Sequence, residues 1–337
     1  MKKDNKKVIY WLLTGCFLIF IMVVVGGITR LTDSGLSISN YKLITGTIPP
    51  LNDTEWQEAF ELYQQYPEYQ KLHSHFTIDD FKSIYFWEWL HRVIGRLIGL
   101  VFIIPFLYFL VTKQLSKKTI KKCLVLLILG GFQGFLGWYM VKSGLVDRPD
   151  VSHYRLAAHL TTAFLTFAAT LWVALDLFYP NKKPINAKFR NLIIASYAIL
   201  IVQIIYGAFV AGLKAGLLHN HWPLMNENKF MHHTVYILEP FYKNLIENPS
   251  GIQFIHRTLA YLVVISILML WFKSRKMSLT NLQTKGINAL LILVVFQFLL
   301  GAFTIIFAVP LWLGVAHQIG AFFLLSAMTF TLHRFSK

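Results

Sequence analysis

Apolar residues in this chain gather into eight long runs: 8–28, 90–112, 122–141, 154–178, 190–213, 253–272, 286–308 and 311–332. Each is long enough, as a helix, to cross a hydrocarbon core of roughly 30 Å. The polar stretches between them are mostly short and basic, but 30–86 and 214–252 are long. This pattern predicts an all-α polytopic membrane protein with eight transmembrane helices. Within the first long segment, Thr45 to Leu51 is turn-rich. Asp53 to Lys71 then reads as a surface helix that starts at Asp53/Thr54 and lays Trp56, Phe60 and Tyr63 on the bundle as a lid.

The apolar pattern is broken most sharply at Phe86–Arg96, where Glu88, His91, Arg92 and Arg96 open the second run. Ionisable groups in a membrane helix are costly without partners, so the stretch is a site by default. Glu88 and His91 lie three residues apart and share a helical face. His-Arg recurs at His256-Arg257, 165 residues on, and His159 recurs as His317, 158 residues on. Gln133 in Phe132–Gly137 is answered by Gln297 in Phe296–Gly301, and Ser34-Gly35-Leu36 by Ala215-Gly216-Leu217. Four landmarks in one order describe an internal repeat. The expected architecture is two tandem four-helix bundles, residues 1–180 with the long outer loop 30–86 and residues 181–337. A pseudo-two-fold axis along the membrane normal relates them. Each repeated His falls in the first turn or two of its helix, which predicts two facing pairs at equal depth, roughly 6 to 10 Å in at 1.5 Å per residue.

Charge orients the helices. Lys and Arg collect in Met1–Lys7, Lys113–Lys122, Lys182–Arg190, Lys273–Lys285 and Arg334–Lys337, all on one side of eight alternating helices, whereas 30–86 holds eight acids against four bases. The positive-inside rule makes the basic side, with both termini, cytoplasmic. The net charge of +16 is thus a topology signal facing membrane lipid, and no nucleic-acid partner is expected. With 55% hydrophobic residues, no soluble class fits. The seven polar residues before the first run read as an uncleaved bacterial anchor rather than a transit peptide. Cys16 and Cys123 both fall inside predicted helices, so no external disulfide is expected.

Two imidazoles facing across a four-helix bundle are the usual axial ligands of a low-spin haem. A lone membrane His is more often an interhelical hydrogen-bonder, but four, paired by repeat and depth, point to metal. Haem iron suits them better than zinc, since each bundle offers only two His in an apolar, aromatic face. Gly95, Gly99, Gly130, Gly131, Gly134 and Gly137 permit the close approach of a flat ring or a neighbouring helix. Arg92 and Arg257 either fork onto haem propionates or snorkel to lipid phosphate. Arg96, a turn deeper, needs an internal partner, and Gln133 and Gln297 read as interhelical hydrogen-bonders. Glu88 corresponds to Gln253 in the second half, so only the first pocket pairs a His with a carboxylate able to take a proton or stabilise a cation. His219, His221, His232 and His233 tempt as a metal cluster but lack a Cys or acid at ligand spacing, and read as structural or solvated.

Thr29–Ser37, Gly46–Leu51, Glu88–Arg96, Ala211–Gly216 and Trp222–Met225 together resemble haem A synthase, in the proteobacterial and mitochondrial type that has a long first outer loop and no cysteine pair in it. The resemblance covers nearly the whole chain. It implies oxidation of the C8 methyl of haem O to a formyl group, giving haem A for cytochrome c oxidase in a bacterial inner membrane. It implies Glu88 as catalytic group, His91 and His159 on the substrate haem near the periplasmic side, and His256 and His317 on a haem b that passes electrons. It also implies partnership with the haem O-forming farnesyltransferase and with oxidase assembly proteins. Leu218–Trp222 departs from the family's usual run, so those His inherit no role. A di-haem cytochrome b moving electrons from quinol is the other reading; it explains the four His and leaves the Glu88/Gln253 asymmetry unexplained. A transporter would suit the repeat, but has no need of paired His at one depth.

Overall fold

The computed structural model describes residues 5–38, 45–143, 149–180, 187–226 and 228–336. Of the basic clusters, residues 1–4, 181–186 and 337 lie outside the described residues. Among the described residues, eight helices are long and apolar enough to cross a membrane: α1 (Asn5–Leu31), α3 (Ile78–Val111), α4 (Lys117–Val141), α5 (His153–Phe178), α6 (Ala187–Gly212), α8 (Pro249–Ser274), α9 (Asn281–Ile306) and α10 (Leu311–Phe335). Between α1 and α3 lies the surface helix α2 (Asp53–Gln64), and a single turn, α7 (Lys243–Ile246), precedes α8. No strand occurs among the described residues.

Two departures from the sequence reading concern the site. Helix α3 begins twelve residues before its apolar run, because Thr77 and Asp80 form a reciprocal capping box that starts it among polar residues. Glu88–Arg96 therefore lies well inside a helix rather than opening one. The surface helix is shorter than expected: Asn52 caps it, it stops at Gln64, and a π-helical turn (Tyr69–His73) follows Pro67, whose ring cannot continue the α-helix. Phe60 and Tyr63 of α2 are buried against Phe81 and Ile84, so this unit covers the front of α3, with Trp56 packed beside it.

The long helices pack in a scheme that is unchanged if α1, α3, α4 and α5 are exchanged with α6, α8, α9 and α10. Within the first set, α1 meets α3 and α5, and α4 meets α3 and α5; within the second, α6 meets α8 and α10, and α9 meets α8 and α10. Across them, α1 packs on α10, α6 on α5, and α5 on α10. The main core runs from Val23 and Phe167 through Leu200, Ile267 and Leu290 to Met328. A smaller core around Trp11, Phe106 and Cys123 closes the opposite end of the first set, where Asp176 of α5 pairs with Lys122 of α4 and His333 of α10. Cys16 and Cys123 are free and buried.

Candidate functional site: two histidine-lined cavities

Four of the long helices, α3, α5, α8 and α10, each carry one of the predicted histidines, and each ring stands against a glycine on an adjacent helix. A Cβ built at Gly26 would lie 3.0 Å from His91 Cε1, at Gly137 3.3 Å from His159, at Gly207 3.1 Å from His256 and at Gly301 2.9 Å from His317. A side-chain carbon at any of these positions would press on the ring, most at Gly301. Of the six glycines expected to permit close approach, Gly137 meets the His159 ring and Gly95 meets Met22 (3.1 Å), whereas Gly99, Gly130, Gly131 and Gly134 face nothing within 4 Å. Gly26 and Gly207 were not singled out in the sequence, although their equal 181-residue spacing, shared by Asp33 and Lys214, was a legible signal.

The rings line two cavities. His91 and His159 share one of about 660 Å³, and His256 and His317 share one of about 380 Å³. His256 and His317 face each other edge to face with ring centres 6.4 Å apart. Nδ1 of His91, His159 and His256 is buried without a hydrogen-bond partner. Gln297 Nε2 reaches both Nδ1 (3.2 Å) and the carbonyl (2.9 Å) of His317, and Gln133 Nε2 donates to the carbonyl of His159 (3.2 Å), so both glutamines bond between helices as expected. Facing rings, unpaired nitrogens and apolar walls fit a bis-imidazole iron porphyrin. The equal-depth expectation is less simple: His159, His256 and His317 come in the second or third turn of their helices, but His91 is about 20 Å along α3 because that helix starts early.

Glu88 is buried, and its two oxygens accept four hydrogen bonds: from Ser37 Oγ (2.7 Å), the Ile38 amide (2.8 Å), and Arg92 Nε (3.1 Å) and a terminal Arg92 nitrogen (2.6 Å). Arg92 also donates to the Ile38 carbonyl (2.8 Å). The Thr29–Ser37 motif thus folds back over the Glu88–Arg92 pair. In the second half, buried Gln253 offers no charge, and Arg257 donates instead to the carbonyls of His221, Pro223 and Leu224. Neither guanidinium snorkels outward: each is turned onto protein acceptors, and both line their cavities. Arg96 also lines the first cavity.

Carboxylates are distributed unequally. Glu68, Glu88, Asp33 and Asp150 line the first cavity, whereas Asp33 is the only one among the residues lining the second. The cavities share a wall of Gly27, Arg30, Asp33, Leu160, Ala211 and Gln318. It is pinned by Arg30, which donates to the carbonyls of Ala211 and Gly212, and by Lys214, which pairs with Asp33 (3.1 Å) and Asp150 (3.6 Å). Among the described residues no group of three or more His, Cys, Asp or Glu is placed to hold an ion directly. His219 bonds Ser250 and His232 bonds Thr234, which is the structural role expected of them. Sequence reasoning missed Glu68, because one acid in a surface segment carries no signal until the chain folds over the cavity.

The family described as cytochrome oxidase assembly protein matches this chain over residues 9–329. A haem A synthase of Flavobacterium johnsoniae is 62% identical over 342 residues, covering all of both chains. Another from Flavobacterium psychrophilum is 60% identical over 99% of this chain and all of its own. One from Nitrosospira multiformis is 44% identical over 99% of this chain and 94% of its own.

Proposed function

This chain belongs to the cytochrome oxidase assembly protein family, among its haem A synthases, and from that premise we propose a division of labour between its two halves. The reaction is that of an oxidoreductase: a methyl group of haem O becomes the formyl group of haem A, the haem of cytochrome oxidase. The first cavity takes haem O between His91 and His159, and the second takes haem b between His256 and His317. Their sizes support this order, since haem O carries a long hydrocarbon tail and the first cavity is the larger.

The observation that carries the reading is the confinement of Glu88, Glu68 and Asp150 to the cavity of His91 and His159, with neutral Gln253 in the corresponding place. Bound porphyrin iron supplies the one-electron chemistry. The chain's residues hold and orient. The glycine contacts fix each imidazole's rotation, and Arg92 and Arg257, each lining its cavity, would pair with haem propionates. Glu88 is held rigidly by its four donors, so its charge is preorganised toward the reacting substituent. The closed exchange scheme of the helices, the Gly–His couples and the left-handed residues Asp33 and Lys214 at matching places support two tandem bundles about a pseudo-two-fold axis. The basic distribution supports cytoplasmic termini and a periplasmic-side site. A membrane-bound substrate with a farnesyl tail favours hand-over from the farnesyltransferase that forms it, and oxidase assembly proteins to receive the product.

The test is pigment extraction from protein supplied with haem O. Wild type is expected to yield formyl haem, and Glu88→Gln to lose about 10²–10⁴-fold in rate with both haems retained. Near wild-type formation of haem A by that variant overturns the role of Glu88.

A further inference from the structure

The conversion of a methyl to a formyl group moves protons as well as electrons, whatever supplies the oxygen. The first cavity lies among largely apolar helices, so the titratable groups in its lining are the ones placed to carry those protons. Glu88 is committed to Arg92, Ser37 and Ile38. A second buried carboxyl, Glu68, also lines the cavity, from the turn after α2.

The surroundings of Glu68 differ from those of Glu88. Among the described residues its one hydrogen-bond partner is the hydroxyl of Tyr63 (3.1 Å), itself fully buried, and that hydroxyl lies 2.7 Å from Nδ1 of His73. His73 is half-buried and stacks on Phe76 at 4.1 Å. A phenol has one proton and can satisfy only one of these neighbours as donor. If Glu68 carries a proton, all three groups are satisfied in one direction: Glu68 donates to Tyr63, and Tyr63 to His73.

We propose that Glu68, Tyr63 and His73 form a proton relay between the substrate cavity and the surface of the α2 unit, deepening the reading of that cavity as the oxidation site, on which it rests. In one transfer the Glu68 proton passes to the Tyr63 oxygen while the Tyr63 proton passes to His73 Nδ1. This leaves a carboxylate, a neutral phenol and an imidazolium that gives its other ring proton to water. The reverse sequence delivers a proton.

The charge environment keeps the relay loaded. Burial, and then the carboxylates of Glu88 on α3, Asp33 after α1 and Asp150 before α5, raise Glu68 to about 8, with the Tyr63 bond opposing. Burial lowers His73, leaving it a neutral acceptor, with Asp33 and Asp150 acting against burial, and His75 and Lys214 with it. Glu68 thus holds its proton at neutral pH.

Two readouts test the relay. Infrared difference spectra of the full-length protein across pH 6 to 9, roughly the range spanned by these groups, should show a protonated-carboxyl band that titrates in wild type and is absent in Glu68→Gln. In haem O conversion, Tyr63→Phe, which keeps the packing, is expected to slow turnover about 10- to 100-fold at unchanged haem content. His73→Ala should slow it similarly and recover on addition of imidazole. Wild-type rates and pH profile in all three variants, or a carboxyl band that survives Glu68→Gln, overturn the relay. If wild type itself makes no haem A, the oxidation-site reading falls instead.

Discussion

Each of the four imidazoles rests on a glycine, and this contact is testable one methyl at a time. Gly301→Val must push the His317 ring aside, so second-cavity haem affinity is expected to fall about 10- to 100-fold, as when groups that orient a ligand are lost. Gly99→Ala meets nothing and should leave haem content unchanged. The side chains that hold the loops were only half legible. The sequence offers Arg92 and Arg257 haem propionates or lipid phosphate, but the protein carbonyls they find depend on segments 37–38 and 221–224 folding back, a tertiary event. Arg257→Met leaves three carbonyls without their donor, at about 1.5–3 kcal/mol for a charged hydrogen bond. The expected outcome is earlier proteolysis within 214–252. Glu68 gives a pH prediction with a definite sign. Its carboxyl is raised in the folded chain, so the native state binds the extra proton and stability falls as pH rises from about 4.5 to about 8. Melting of Glu68→Gln followed over that window should lack this share of the slope; an unchanged slope contradicts it.

At the scale of elements, the eight membrane crossings were readable because long apolar runs have few alternatives. The extension of α3 was not, because its first turns are amphipathic and bury Phe81 and Ile84 against α2 rather than lipid. That extension joins the α2 unit to the helix bearing Glu88 and His91. Phe81→Ala is expected to destabilise the unit by about 3–5 kcal/mol, the usual cost of emptying a buried phenylalanine site. Protease sensitivity of 53–77 and lowered haem O retention would report it together. If haem O retention is unaffected while 53–77 is cleaved, the α2 unit is not part of the substrate site.

For the molecule as a whole, the exchangeable packing of the two helix sets comes with two similar cavities, and the differences between them underlie the two roles proposed. Helices α3 and α4 meet over a shorter stretch than α8 and α9, leaving the first cavity wider, and only there do several acids gather. The landmarks at His91, His159, His256 and His317 foretold which helices bring a histidine to a cavity. They could not foretell the shared wall of Arg30, Leu160 and Gln318, which arises only when α1 packs on α10 and α5 on α6. The central claim is that each cavity holds one haem by its own two histidines. Haem extraction from four single His→Ala variants, each purified with haem O supplied, tests it most directly. The account predicts that His256→Ala and His317→Ala both lose haem b and keep haem O, while His91→Ala and His159→Ala both lose haem O and keep haem b. Variants whose losses fail to pair in this way would contradict it.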